Sequence, residues 1–130
     1  MAKKDVKVAP YWLEDPEDHD YPAAADYLSL LFSKEDVDDI VGRLQKAKTT
    51  HYKAKDILRS SDLDLLDSKN AHVLKDLYKI ATGKKLSPIL LVRGDAKHCI
   101  PVTVADGYHR VCASYWTDEN TDIPCRIVDL

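Results

Sequence analysis

Apolar positions along this chain change period several times, and each change marks an element. Val37, Ile40, Val41 and Leu44 recur at i, i+3, i+4 and i+7, one face of an amphipathic helix. Ser33 is a suitable N-cap for it, with Asp36 three residues on in a capping-box arrangement. The stretch 46–50 ends it. Upstream, Pro22 suits a first helical position and opens a helix over Ala23–Phe32. Val73, Leu77, Ile80 and Ala81 give another helical face over about 69–82. Gly83 supplies its left-handed stop, and Lys84 and Lys85 lie where positive charge is favoured. Shorter segments read as strands: Tyr52–Leu58, Ser87–Val92 opened by Pro88, 100–105, and a last one in which Ile123, Cys125 and Ile127 alternate. Arg59–Asp67 reads as a loop carrying Leu63, Leu65 and Leu66. Arg93-Gly94-Asp95-Ala96 reads as a hairpin turn, and 111–116 as a helix. The pattern predicts an α+β fold: a small mixed sheet with packed helices, preceded by two N-terminal helices.

At 130 residues the chain has the length of one domain. We divide it into an arm with two helices (1–50) and a core (51–130). A hydrophobic fraction of 45% excludes wholesale disorder. A net charge of −3 disfavours nucleic-acid binding through a generally basic surface, while leaving a local basic pocket open. No run approaches the roughly 18 continuous apolar residues of a membrane span. Met1-Ala2-Lys3-Lys4-Asp5 lacks the apolar centre of a signal peptide. Three cysteines leave at least one free thiol, so the expected compartment is the cytosol. Their spacing contains no C-x-x-C pair, and the five histidines are scattered, so no structural metal is expected. Glu14, Asp15, Glu17, Asp18 and Asp20 read as a solvated acidic arm, anchored by Tyr11, Trp12 and Leu13. The two N-terminal helices suit a cover over the sheet, a homodimer contact or a lid, and their pattern does not separate these.

The candidate chemistry lies in Asp106-Gly107-Tyr108-His109-Arg110, where a strand gives way to a helix. A glycine there permits a sharp turn. The first amides of the helix lack partners within it and form an anion site. Arg110 adds a forked cation matched to phosphate, and His109, disfavoured as a cation by the helix dipole, can accept a proton. Asp106 either holds the turn or, through water, a magnesium ion that bridges phosphates.

The order of elements from about Tyr52 onward, with Asp-Gly-x-His-Arg at the strand-to-helix turn, resembles the ParB/sulfiredoxin-like superfamily. That resemblance implies phosphate binding by Gly107, Tyr108 and Arg110, a bordering strand that carries Lys53, Lys55 and Asp56, and catalytic roles for His109 and Asp106. It implies ATP or ADP with Mg2+ as ligand and, in one branch, phosphoryl transfer to a small hydroxyl metabolite. The sulfiredoxin cysteine is replaced by Tyr108, which excludes sulfinic-acid reduction by that mechanism. The arginine-rich box of the partition proteins is also absent. The alternatives are a ParB-like nuclease, in which Arg110, Lys53 and Lys55 meet backbone phosphates, and a non-catalytic anion-binding module.

Overall fold

The computed structural model describes residues 6–130. The Met1–Asp5 stretch read for a signal sequence lies outside them. The elements run α1 (Asp20–Leu28), α2 (Lys34–Lys46), β1 (Thr50–Lys53), α3 (Ala54–Ser61), α4 (Ala71–Ala81), β2 (Ile89–Val92), β3 (Thr103–Asp106), α5 (Tyr108–Thr117) and β4 (Asp122–Val128). The fold is α+β, as the pattern predicts. Among the described residues no helix is long and apolar enough to cross a membrane.

The four strands form one mixed sheet in the order β1-β4-β2-β3. β4 pairs antiparallel with β1 and parallel with β2, and β3 pairs antiparallel with β2. Alternation along the central strands sends side chains to two separate cores. Ile89, Leu91, Ile123 and Cys125 face α3, α4 and α5, together with Ile57, Val73, Val111 and Cys112. Leu90, Val92 and Val128 face α1 and α2, together with Leu28, Ile40 and Leu44. All four residues of β2 are buried, as expected of a strand covered on both faces. The N-terminal helices therefore cover one face of the sheet.

Ser33 caps α2, its hydroxyl accepting from the Asp36 amide at 3.3 Å. The Asn70 side chain caps α4, accepting from the amides of His72 and Val73. Gly83 has φ +80°, the left-handed stop expected after α4. Trp12 is buried, and backbone bonds from Leu13 to Leu86 and from Leu86 to Tyr11 fasten the arm to the core.

Three expectations need correction. The proposed strand over Tyr52–Leu58 ends at Lys53, where the chain turns into α3. Ala54, Ile57, Leu58 and Ser61 are all buried, and their spacing of three and four is helical. The helix begun at Pro22 begins instead at Asp20, with Pro22 as its third residue. A first-turn proline is tolerated because the amide it lacks has no partner within the helix anyway. The four-residue hairpin turn is a longer connection: 93–102 link β2 to β3 through a 3-10 turn at Ala96–His98.

Candidate functional site

The strand-to-helix turn after β3 has the geometry its sequence implied. Gly107 is the N-cap of α5 with φ +110°, and no side chain caps the helix. A Cβ there would lie 2.4 Å from Ile89 Cδ1 and 2.8 Å from Arg110 Nη2. A side chain there would force Ile89 or Arg110 to shift and would sit at a positive φ that favours glycine. The start of the helix opens on a cavity of about 440 Å³, within the range of small-molecule sites. Asp106, Gly107, Tyr108 and His109 form its polar end, and Ala23, Tyr27, Leu63 and Val104 its apolar walls. α1 thus contributes directly to the cavity. The Tyr108 hydroxyl donates to the Asp64 carbonyl, fixing the loop that carries Leu63.

Arg110 does not face this cavity. Its side chain is 15% exposed, and Nη2 lies 2.8 Å from Asp106 Oδ2. Nη1 lies 3.5 Å from Asp20 Oδ1. Nε has no hydrogen-bond partner among the described residues. The fork intended for phosphate is thus held by two carboxylates, one of them on α1. Asp20 is the second surprise. Read as part of a solvated arm, it is 1% exposed, accepting from the Ser87 hydroxyl and, at 3.1 Å, from the Glu17 amide. Asp15 stays exposed, as the solvated reading expects, while pairing at 3.0 Å with Arg126.

Lys53 does not join the turn. It lies on the opposite edge of the sheet, paired with Asp122 at 3.4 Å and the Asn120 carbonyl at 2.9 Å. Three strand spacings and a four-residue register offset separate it from Asp106 by on the order of 20 Å. Lys55 and Asp56 sit on α3 and pair with each other at 3.1 Å. The three cations assigned to a nucleic-acid backbone therefore form no stripe, and each is held by a carboxylate.

Burial and neighbours shift several groups at the turn. Burial pushes the Asp106 carboxyl above the usual carboxylate range, opposed by Arg110 and reinforced by Asp20. His109 is held below its ordinary value, mainly by burial and then by His72. Its ring lies 4.6 Å from that of His72 and 5.6 Å, stacked, from that of Tyr108. It makes no hydrogen bond or ion pair among the described residues and remains a neutral base at the cavity wall.

Asp76 went unnoticed in the sequence. It is 8% exposed on α4, and burial raises its carboxyl, with Lys79, Arg110 and His109 opposing. Its spacing, three residues after Val73 on the buried face, was the available signal. Cys112 and Cys125 are buried among apolar side chains, as their positions implied, while Cys99 is exposed.

No protein-family profile, curated protein or solved structure matches the chain.

Proposed function

We propose that this chain is a phosphate-binding enzyme that takes a small phosphorylated ligand, a nucleotide such as ATP or ADP, at the start of α5 and transfers its terminal phosphoryl group to a small hydroxyl compound. The observation that carries this reading is the uncapped helix N-terminus behind a positive-φ glycine, opening on a cavity of ligand size. Backbone amides at such a terminus, together with the helix dipole, favour an anion. The resemblance to the ParB/sulfiredoxin-like superfamily adds the same expectation.

In this reading the amides of Tyr108 and His109 meet the phosphate oxygens, and the walls formed by Ala23, Tyr27, Leu63 and Val104 receive the flat apolar part of the ligand. Arg110 works behind the turn. It offsets part of the charge of Asp106, whose bare carboxylate would repel a phosphate beside it, and shares the rest of its own charge with Asp20. A magnesium ion brought in with the nucleotide would find Asp106 as the one carboxylate at the turn and would supply charge neutralisation on the phosphates. Neutral His109 takes the proton of the acceptor hydroxyl onto a ring nitrogen. The acceptor oxygen bonds to phosphorus as the bond to the leaving phosphate breaks with its electron pair.

A thermal-shift series with ATP, ADP, CTP and inorganic phosphate, with and without magnesium, tests the binding. A ligand at about 100 times its dissociation constant stabilises by about 2.7 kcal/mol. At least one nucleotide should raise the midpoint, and Gly107→Ala should remove the response. No stabilisation by any of the four at millimolar concentration would refute the proposal.

A further inference from the structure

We propose that a second cavity, between α3 and the sheet, binds a small carboxylate whose apolar body is about the size of one ring, with Arg93 holding the carboxylate. Arg93 opens the Arg93-Gly94-Asp95-Ala96 segment, to which the site at Gly107 gives no task. The two cavities share no lining residue, so this inference stands apart from the proposed phosphoryl transfer.

The interior follows from the sheet. Leu91 and Ile127 are partners on adjacent parallel strands and face the core that α3 covers. Ile57 of α3 and Val102 of the 93–102 connection close over them. Two backbone features hold Val102 in place. Its amide donates to the Ser60 carbonyl at 2.9 Å, which fastens the connection to α3. Gly94 lets the connection fold tightly on itself: a Cβ there would lie 2.5 Å from the Ile100 carbonyl oxygen and 2.7 Å from the Val102 nitrogen. Close packing leaves few interior spaces larger than a water molecule. This one measures about 220 Å³. An apolar cavity of about 150 Å³ holds benzene, so the space here takes a ring with a short substituent.

The rim selects the head group. Four polar side chains border the apolar floor: Tyr52, Asp56, Ser60 and Arg93. Asp56 pairs with Lys55 at 3.1 Å, and the Ser60 hydroxyl donates to the Ile57 carbonyl at 3.2 Å. Arg93 is the only cation of the lining among the described residues, and its side chain is 53% exposed. Its Nε donates to Asp129 Oδ1 at 2.5 Å, which occupies one of the five donors of a guanidinium. Its terminal nitrogens hydrogen-bond no carboxylate among the described residues, and the Tyr52 hydroxyl lies beside the guanidinium. A guanidinium edge and a phenol above an apolar floor match a carboxylate on an apolar body. An ammonium head would find Asp56 already taken by Lys55. A neutral alcohol would leave the guanidinium edge to water.

The test is an amide-resolved magnetic resonance titration of the full chain with three probes that share one ring: benzoate, benzyl alcohol and benzylamine. Benzoate should shift the Ile57, Leu91, Val102 and Ile127 amides. It should bind about tenfold more tightly than the alcohol, the lower end for a charged hydrogen bond, because the rim is exposed. Arg93→Gln removes an exposed ion pair and leaves the fold intact. It should bring benzoate down to the affinity of the alcohol and leave the alcohol unchanged. Asp129→Asn, which frees Nε, should tighten benzoate alone. Val102→Phe, which fills the cavity, should abolish binding of both. Equal affinities for acid and alcohol in wild type, tighter binding of the amine, or no shift at tens of millimolar would overturn the inference. Benzoate shifts confined to Gly107, Tyr108 and His109 would overturn it too, and would report the anion site instead. The three-probe comparison in wild type needs no variant, so it tests the inference even if Val102→Phe fails to fold.

Discussion

Arg110→Ala probes the network that joins α1 to the turn. The guanidinium is 15% exposed, and its partners are 2% exposed at Asp20 and 21% at Asp106. Removing one member of a buried ion pair typically costs about 3–5 kcal/mol, because the charge left behind has no compensation. Partial exposure of Asp106 reduces this, so we expect about 2–4 kcal/mol. Two carboxylates would then face one another with no cation between them. With a urea dependence of roughly 2 kcal/mol per molar, the unfolding midpoint should fall by about 1–2 M. The loss should depend on pH. Without Arg110 the Asp106 carboxyl, already raised by burial, moves higher still, so its protonation on acidification favours the folded variant. The gap from wild type should therefore be widest near neutrality and shrink as the pH falls toward the ordinary carboxylate range. Asp20→Asn should cost less, because an amide oxygen can still accept from Ser87 and the Glu17 amide. Equal stability of wild type and Arg110→Ala, within about half a kcal/mol, would refute the network and return the Arg110 fork to the ligand.

Gly107→Ala should lose about 2–4 kcal/mol, from a positive φ of +110° and the contact with buried Ile89, as read from thermal unfolding. Ser33→Ala should cost about 1 kcal/mol by removing the α2 cap, measured in the same way. Asp76→Asn should stabilise the fold above the raised Asp76 midpoint, and that advantage should fade on acidification, since the wild-type carboxyl then binds its proton in the folded state; a pH series of urea midpoints checks the sign. Trp12→Ala should cost about 3–5 kcal/mol and loosen the arm, seen as faster amide exchange at Leu13 and Leu86.

Local signals carried much of this fold into the sequence. The Ser33 cap, the α2 face, the Gly83 stop and the alternation of β4 each depend on residues within one or two turns of each other. The turn at Gly107 was legible for the same reason, since a glycine between a strand and a helix has few other uses. The pairing of Asp106 with Arg110 is local too, joining the last residue of β3 to the first turn of α5 four residues on. What escaped depends on distant partners. Asp20 looks like one acid among five until Ser87, 67 residues away in sequence, is found against it. Asp76 reads as a polar interruption of an apolar face until α5 is packed there. Lys53 belongs to the site only if its strand borders the nucleotide, as the resemblance implies, and β1 lies at the opposite edge of the sheet from β3. The spacing of Ala54, Ile57, Leu58 and Ser61 is helical, and their burial shows that this period governs the segment.

The central claim is that an anion binds at the first amides of α5. An amide-resolved magnetic resonance titration with inorganic phosphate, followed by ADP with magnesium, tests it most directly. Phosphate should move the Gly107, Tyr108 and His109 amides first and together. ADP should extend the changes to Ala23, Tyr27 and Leu63 along the cavity wall. Shifts centred on Lys7 and Lys53 at the far edge of the sheet, or none at millimolar ligand, would contradict the account.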